Sequence, residues 1–143
     1  MIDVLLVDDH PVMRALLRQL LEAYPDIDIV AEVENGEEAV IQARALQPTV
    51  AVIDCHLPRL SGIEVTRLIK VKSPSTTVIG LTAGEPTENE MEMLSAGASV
   101  VLNKADVLEQ LCPLIVKSCA FANAQPATSL DPSFSVPIPN ITR

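Results

Sequence analysis

Residues 2–11 read IDVLLVDDHP. An apolar run from Val4 to Val7 stops on two adjacent carboxylates, Asp8 and Asp9, and Pro11 follows two positions later. A short run rich in Val and Leu is what a strand buried on both faces looks like. Pro11 suits the first position of a helix. After it, Val12, Leu16, Leu17, Leu20 and Leu21 recur three and four residues apart, the period of a helix with one apolar face. The opening unit is therefore strand, acidic turn, helix. Two like charges side by side repel, and more strongly as water is excluded. The acidic pair calls for a cation.

The same alternation continues along the chain. Apolar runs at Ile27–Val33, Val50–Ile53, Val78–Leu81 and Val100–Leu102 are separated by helical patterns. Asn35 with Glu38, Ser61 with Glu64, Thr87 with Glu90 and Asp106 with Glu109 each place a capping residue three positions before a glutamate. That is the spacing at which the two side chains can satisfy orphan N–H groups at a helix start. Five strands alternating with five helices imply an α/β fold with a parallel sheet covered by helices on both faces. No internal repeat of domain-building length is present.

Composition narrows the function classes. The 143 residues suffice for one domain with a real core. Residues 1–119 carry 18 acidic and 9 basic side chains and hold the whole net charge of −9, which makes them poor binders of nucleic acid on their own. No apolar run is long enough to span a membrane, and no basic-then-apolar leader opens the chain. Three cysteines, Cys55, Cys112 and Cys119, form no C-x-x-C pair; an odd count of free thiols points to a reducing, cytoplasmic setting. From residue 120 onward the helical period fades and four prolines appear. The expected organisation is a domain over 1–119 and a Pro-rich linker or disordered tail over 120–143.

Ligands of an open parallel sheet bind beyond the carboxyl ends of its strands. Those ends carry Asp8 and Asp9 after strand 1, Asp54 after strand 3, Thr82 after strand 4 and Lys104 after strand 5; strand 2 ends in Val33 and Glu34 and offers no evident part. Three carboxylates at one edge become favourable around a hard divalent cation such as Mg²⁺, which takes oxygen ligands and leaves room for phosphate oxygens. A lysine and a hydroxyl opposite complete equipment for phosphoryl transfer, with a carboxylate able to act as nucleophile.

The motifs VDDHP at 7–11, DCHLPRLSG at 54–62, LTAG at 81–84 and NK at 103–104 together resemble the receiver domain of two-component response regulators, over about residues 1–119. The resemblance implies a (βα)5 flavodoxin-like receiver fold with strand order 2-1-3-4-5. It also implies roles. Asp54 would accept a phosphoryl group from a sensor histidine kinase. Asp9 would bind Mg²⁺ directly and Asp8 through water, with Asp54 and the backbone carbonyl of His56 as further metal ligands. Thr82 would be the switch hydroxyl, and Lys104 would pair with the phosphate. Pro58 and Gly62 match the turn that follows the acceptor. The only catalysis implied is the domain's own phosphorylation and dephosphorylation.

DDH after strand 1 is similar to the NarL subfamily, and PNITR at 139–143 resembles the first residues of a LuxR-type helix-turn-helix domain. The expectation is a chain cut before its DNA-binding output, with DNA contacted only through that absent part, no membrane partner, and a homodimer allowed. Two positions depart from the family pattern. Val101 stands where an aromatic residue usually transmits the switch, and Ala105 stands where many relatives have proline. Three other readings compete. A pseudo-receiver that only binds partners is the main alternative, kept open by Val101. A haloacid-dehalogenase-type phosphohydrolase lacks its Asp-x-Asp, because His10 and His56 stand two places after Asp8 and Asp54. A dinucleotide-binding domain lacks its Gly-x-Gly-x-x-Gly.

Overall fold

The structure, a computed structural model, describes residues 1–84 and 88–129; side chains are described as far as Ser118, that of Glu88 excepted. Five strands, β1 (Ile2–Val7), β2 (Ile27–Val33), β3 (Val50–Asp54), β4 (Thr77–Thr82) and β5 (Val100–Asn103), alternate with five helices, α1 (Pro11–Glu22), α2 (Gly36–Leu46), α3 (Gly62–Lys72), α4 (Glu88–Ala96) and α5 (Val107–Ser129). All strand pairs are parallel, in the order β2-β1-β3-β4-β5. This is the expected fold.

Alternation along each strand divides the core in two. Val4 and Leu6 of β1, Val50 and Val52 of β3, and Ile79 and Leu81 of β4 pack with Leu17, Leu21, Leu111, Cys112 and Ile115 of α1 and α5. Leu5 and Val7, Ala51 and Ile53, and Val78 pack with Ala39, Ala43, Val65, Ile69 and Met93 of α2, α3 and α4. Strand residues therefore serve two cores, which is why their runs show no polar alternation. The stripe read on α1 is wider than its core needs. Leu17 and Leu21 are buried, while Val12 is exposed.

Helix starts follow the capping pattern in part. Asn35 Oδ1 accepts from Glu38 N at 2.9 Å and Ser61 Oγ from Glu64 N at 3.3 Å. Asp106 immediately precedes α5, as the pattern expects. It ends a 3-10 turn over Lys104–Asp106, where the side-chain acceptor is Asn103 Oδ1, bonded by Ala105 N at 2.9 Å. Thr87 lies outside the described residues. The helix after β5 runs on to Ser129, ten residues past the expected boundary at Cys119; alanines at 120, 122, 124 and 127 favour helix over this stretch. The rest of the expected tail, from Leu130, lies outside the described residues.

The two edges of the sheet differ. At the amino edge, Thr76 Oγ1 donates to Pro48 O at 2.6 Å and lies 2.6 Å from Ser73 Oγ. Nearby, Lys70 Nζ donates to Pro74 O at 2.9 Å and Thr76 O at 2.8 Å. Polar groups there are matched. At the carboxyl edge three buried oxygens accept or donate no hydrogen bond: Asp8 Oδ2, Asp9 Oδ1 and Thr82 Oγ1.

Gly62 holds the carboxyl edge tight. Its N–H donates to Cys55 O at 3.3 Å, and a Cβ there would collide with Asp54 O and lie 2.8 Å from Cys55 Cα. Both obstacles are backbone and cannot rotate away. Gly62→Ala is expected to cost about 2 kcal/mol of stability, read as a lower urea midpoint with an unchanged slope.

Candidate functional site

Parallel pairing brings the carboxyl ends of four strands to one level. Asp54 pairs in register with Leu81, and Thr82 with Asn103. Asp8 follows β1, Asp54 closes β3, Thr82 closes β4, and Lys104 opens the 3-10 turn after β5. The side chains of Asp8 and Asp54 are buried almost completely, at 0% and 1% exposure. Lys104 Nζ donates to Asp54 Oδ2 at 3.1 Å and lies 3.4 Å from Asp8 Oδ2. One ammonium thus serves two buried carboxylates. The other Asp54 oxygen, Oδ1, accepts from His56 N at 2.9 Å. The His56 side chain is exposed. Thr82 is buried, and its Oγ1 has no hydrogen-bond partner.

The ring of His10 is the unexpected member. His10 precedes Pro11 and stands at the N-cap of α1, but without a capping side-chain bond. Instead Nδ1 lies 3.2 Å from Asp8 Oδ1, 3.2 Å from Asp9 Oδ1 and 3.5 Å from Asp54 Oδ2. Asp8, Asp9, His10 and Asp54 form a group able to hold a metal ion, with donor atoms all within 4.8 Å of one another. The unbonded oxygens of Asp8 and Asp9 fit a cation by charge and by chemistry, since a hard ion takes carboxylate oxygen.

Two supports come from residues to which the sequence assigned no role of their own. Arg14 Nη1 donates to Asp8 O at 2.7 Å and also faces Glu32 and Glu34, at 3.5 and 3.6 Å. Arg18 Nε donates to the same Glu32 at 2.6 Å. Strand β2 therefore takes part through Glu32, and the turn after it through Glu34, which anchor the arginine that holds the acidic turn. Asn103 is the second support. Its Oδ1 accepts from Ala105 N, a bond proline could not make, and its Nδ2 donates to Gly84 O. The loops after β4 and β5 are joined by one side chain.

Val101 is partly buried against the α3–α4 side of the core, where Met93 is wholly buried. A Cβ on Gly80 would lie 2.6 Å from Met93 Cε, 3.4 Å from Val101 Cγ2 and 3.6 Å from Cys55 Sγ. Gly80 leaves the room that Met93 occupies.

A family comparison decides what this arrangement belongs to: the model of the response regulator receiver domain matches residues 4–115. The chain belongs to the response regulator receiver family. Among similar proteins, the nitrate/nitrite response regulator protein NarL of Escherichia coli is 31% identical over 82% of this chain and 54% of its own length. A protein-glutamate methylesterase/protein-glutamine glutaminase of Nitrosospira multiformis is 39% identical over 71% of this chain and 29% of its own. Among solved structures, the response regulator domain of Thermotoga maritima CheB is 31% identical with a TM-score of 0.76, covering 82% of this chain and 95% of that one. This chain spans about half or less of the length of these two curated relatives.

The receiver's core thiols are quiet. Burial, and then the charge of Asp54, push Cys55 up to about 12 from an ordinary value of 9.0; burial also raises Cys112. Thiolate is the reactive form, so raising the pKa removes reactivity at neutral pH. Iodoacetamide at about pH 8 is expected to spare both thiols in the folded receiver and to alkylate both after unfolding in urea, as read by peptide mass mapping.

The shared ammonium gives a second expectation. Lys104→Met strands two buried carboxylates and is expected to cost about 3 kcal/mol in metal-free buffer. Adding Asp54→Asn in the same chain should return most of that loss, which a double-mutant cycle of urea denaturations measures.

Proposed function

We propose that this receiver accepts a phosphoryl group on Asp54 from the phosphohistidine of a sensor kinase, and that the acyl phosphate switches a DNA-binding output. The observation that carries the reading is the state of Asp54: buried, with one oxygen held by Lys104 and the other by the His56 N–H, beside a buried hydroxyl with no partner. Holding a carboxylate at both oxygens fixes its plane and aims a lone pair outward. The carboxylate oxygen attacks phosphorus, the phosphorus–nitrogen bond of the donor breaks, and the donor imidazole keeps the electron pair. Little covalent chemistry is asked of the protein beyond positioning and charge neutralisation.

Asp8, Asp9, Asp54 and the carbonyl of His56 would hold Mg²⁺, which supplies positive charge to the phosphoryl oxygens. Lys104 exchanges its carboxylate partner for a phosphoryl oxygen. Thr82 Oγ1, orphaned in the free state, donates to another. A buried hydroxyl without a partner costs about 1–3 kcal/mol, so that bond favours the phosphorylated form. The change then passes along Ala83 and Gly84, and through Asn103 to the loop of Lys104. No aromatic ring needs to turn for this, because Asn103 already couples the two loops.

An open cavity of about 450 Å³, lined by His10, Val12, Met13, Leu16, Ala83 and Lys104, borders the pocket. Its apolar side explains why Val12 is left exposed on α1, and it suits a docking kinase. Transcriptional output is supported by the likeness to NarL; PNITR lies outside the described residues. Among those residues no helix is long and apolar enough to cross a membrane, which accords with a cytoplasmic regulator. The pseudo-receiver reading has no support in a site where acceptor, acidic pair, hydroxyl and lysine all converge.

Acetyl phosphate with Mg²⁺ should add one phosphoryl group to the chain, seen by intact mass. Asp54→Asn should remove that addition. Equal labelling of the variant would move the acceptor elsewhere.

A further inference from the structure

We infer that the outer face of helices α2 and α3 is a contact surface for a second copy of this chain, the two copies meeting across a two-fold axis with their helices antiparallel. The inference stands apart from the chemistry of the acidic pocket.

The two helices lie side by side and run the same way. At their starts, a Cβ on Gly36 would meet Val65 and Leu60. At their ends, Gln47 Nε2 donates to Lys72 O at 3.1 Å. Gly36, Ala39 and Ala43 of α2 are buried, as are Val65, Thr66 and Ile69 of α3. Left outside are three aliphatic side chains: Ile41 at 61% exposure, Val71 at 69%, and Leu68. Lys70 shows which way Leu68 faces. Its ammonium donates to Pro74 O and Thr76 O, and its stem lies against Gly97, just past α4. A residue two positions earlier stands about 160° around the helix, so Leu68 leaves α3 on the side away from α4, toward α2.

Charge changes sign along the same stripe. Glu37 and Glu38 open α2 and Arg44 closes it; Glu64 opens α3 and Lys72 closes it. Each helix gains from this order through its own dipole. The apolar band set between the oppositely charged ends is what indicates a partner. Leu68 is midway between Glu64 and Lys72, and Ile41 midway between Glu38 and Arg44. An axis crossing both helices at these two residues lays Lys72 over the partner's Glu64 and Arg44 over the partner's Glu38. It also lays Ile41 and Leu68 over their own counterparts. A two-fold contact needs a patch that complements itself in this way.

The charge of the whole chain bears on the choice. A net charge of −9 drives copies apart. Arg59 and Arg67 join Arg44 and Lys72 on α2, α3 and the turn before α3, so four exposed cations stand there against the exposed Glu37, Glu38 and Glu64. This face therefore does not share the repulsion. Helix α4 also exposes Met91 and Leu94, but its charged residues are Glu88, Glu90 and Glu92 alone, and two such helices would repel.

Sedimentation equilibrium of the full chain tests the contact. A monomer–dimer equilibrium is expected at low salt, weakening as salt rises. Ile41→Glu and Val71→Glu, both at exposed positions and checked for folding by circular dichroism, should leave the chain monomeric. Lys72→Glu should weaken the dimer about tenfold or more, because the change counts twice across the axis. Adding Glu64→Lys to that variant should restore the dimer. If these charges served only the dipole of α3, the double change would lower stability further and restore nothing. A chain that is monomeric at every salt and concentration overturns the inference and leaves the face to a different partner. A dimer indifferent to all of these changes overturns it as well, since the copies then meet elsewhere.

Discussion

Three carboxylates meeting at one edge of a sheet set the terms for the rest of this molecule. Asp8 and Asp54 are buried at the ends of adjacent strands, and Asp9 stands beside them. Such a cluster is unfavourable unless positive charge is held nearby. Lys104 provides it from the far side by reaching two carboxylates with one ammonium. That reach requires β5 to end level with β3, which the parallel register achieves through β4. The topology and the charge balance are thus one arrangement. A sheet in another order would separate the lysine from the acids it neutralises.

The carboxyl edge also concentrates what the rest of the fold avoids. Elsewhere among the described residues, buried side-chain polar atoms have partners, as Thr76 and Ser73 do at the amino edge. At the acidic edge two carboxylate oxygens and the Thr82 hydroxyl are left without hydrogen bonds. Unmatched atoms in one place mark where a further group is expected to bind. The shape around them is backed by parts that cannot yield: Gly62 lies against the backbone of Asp54 and Cys55, and Arg14 grips the carbonyl of Asp8.

Much of this was legible in the residues. Apolar runs ending on Asp8, Asp54, Thr82 and Lys104 could be read as strand ends because a doubly buried strand has an unmistakable composition. Their convergence then followed from the rule for parallel sheets. The parts that escaped depend on side-chain direction. Nothing in DDHP shows that the His10 ring folds back over the acids rather than outward. Asn103 resembles any polar strand end, and its two bonds appear only when the β4 and β5 loops lie side by side. Val101 could be flagged as lacking a ring, but the packing of Met93 against Gly80 could not be foreseen, since the two are far apart in the chain. Nothing in the residues before Asp106 shows the 3-10 turn that stands between β5 and α5. Helix α5 outran the expected boundary because the prolines farther on outweighed the alanines in the reading.

Helix α5 has one further consequence. It starts beside the Lys104 turn and packs against α1 through Leu111, Cys112 and Ile115, running back along the strands toward the amino edge. Its 23 residues span about 34 Å at 1.5 Å per residue. Its far end lies well away from the turn of Lys104, beside which the helix begins. Cargo fused there stays clear of the chemistry by distance alone. On a rod of this length, a small angle at the root is a large displacement at the tip.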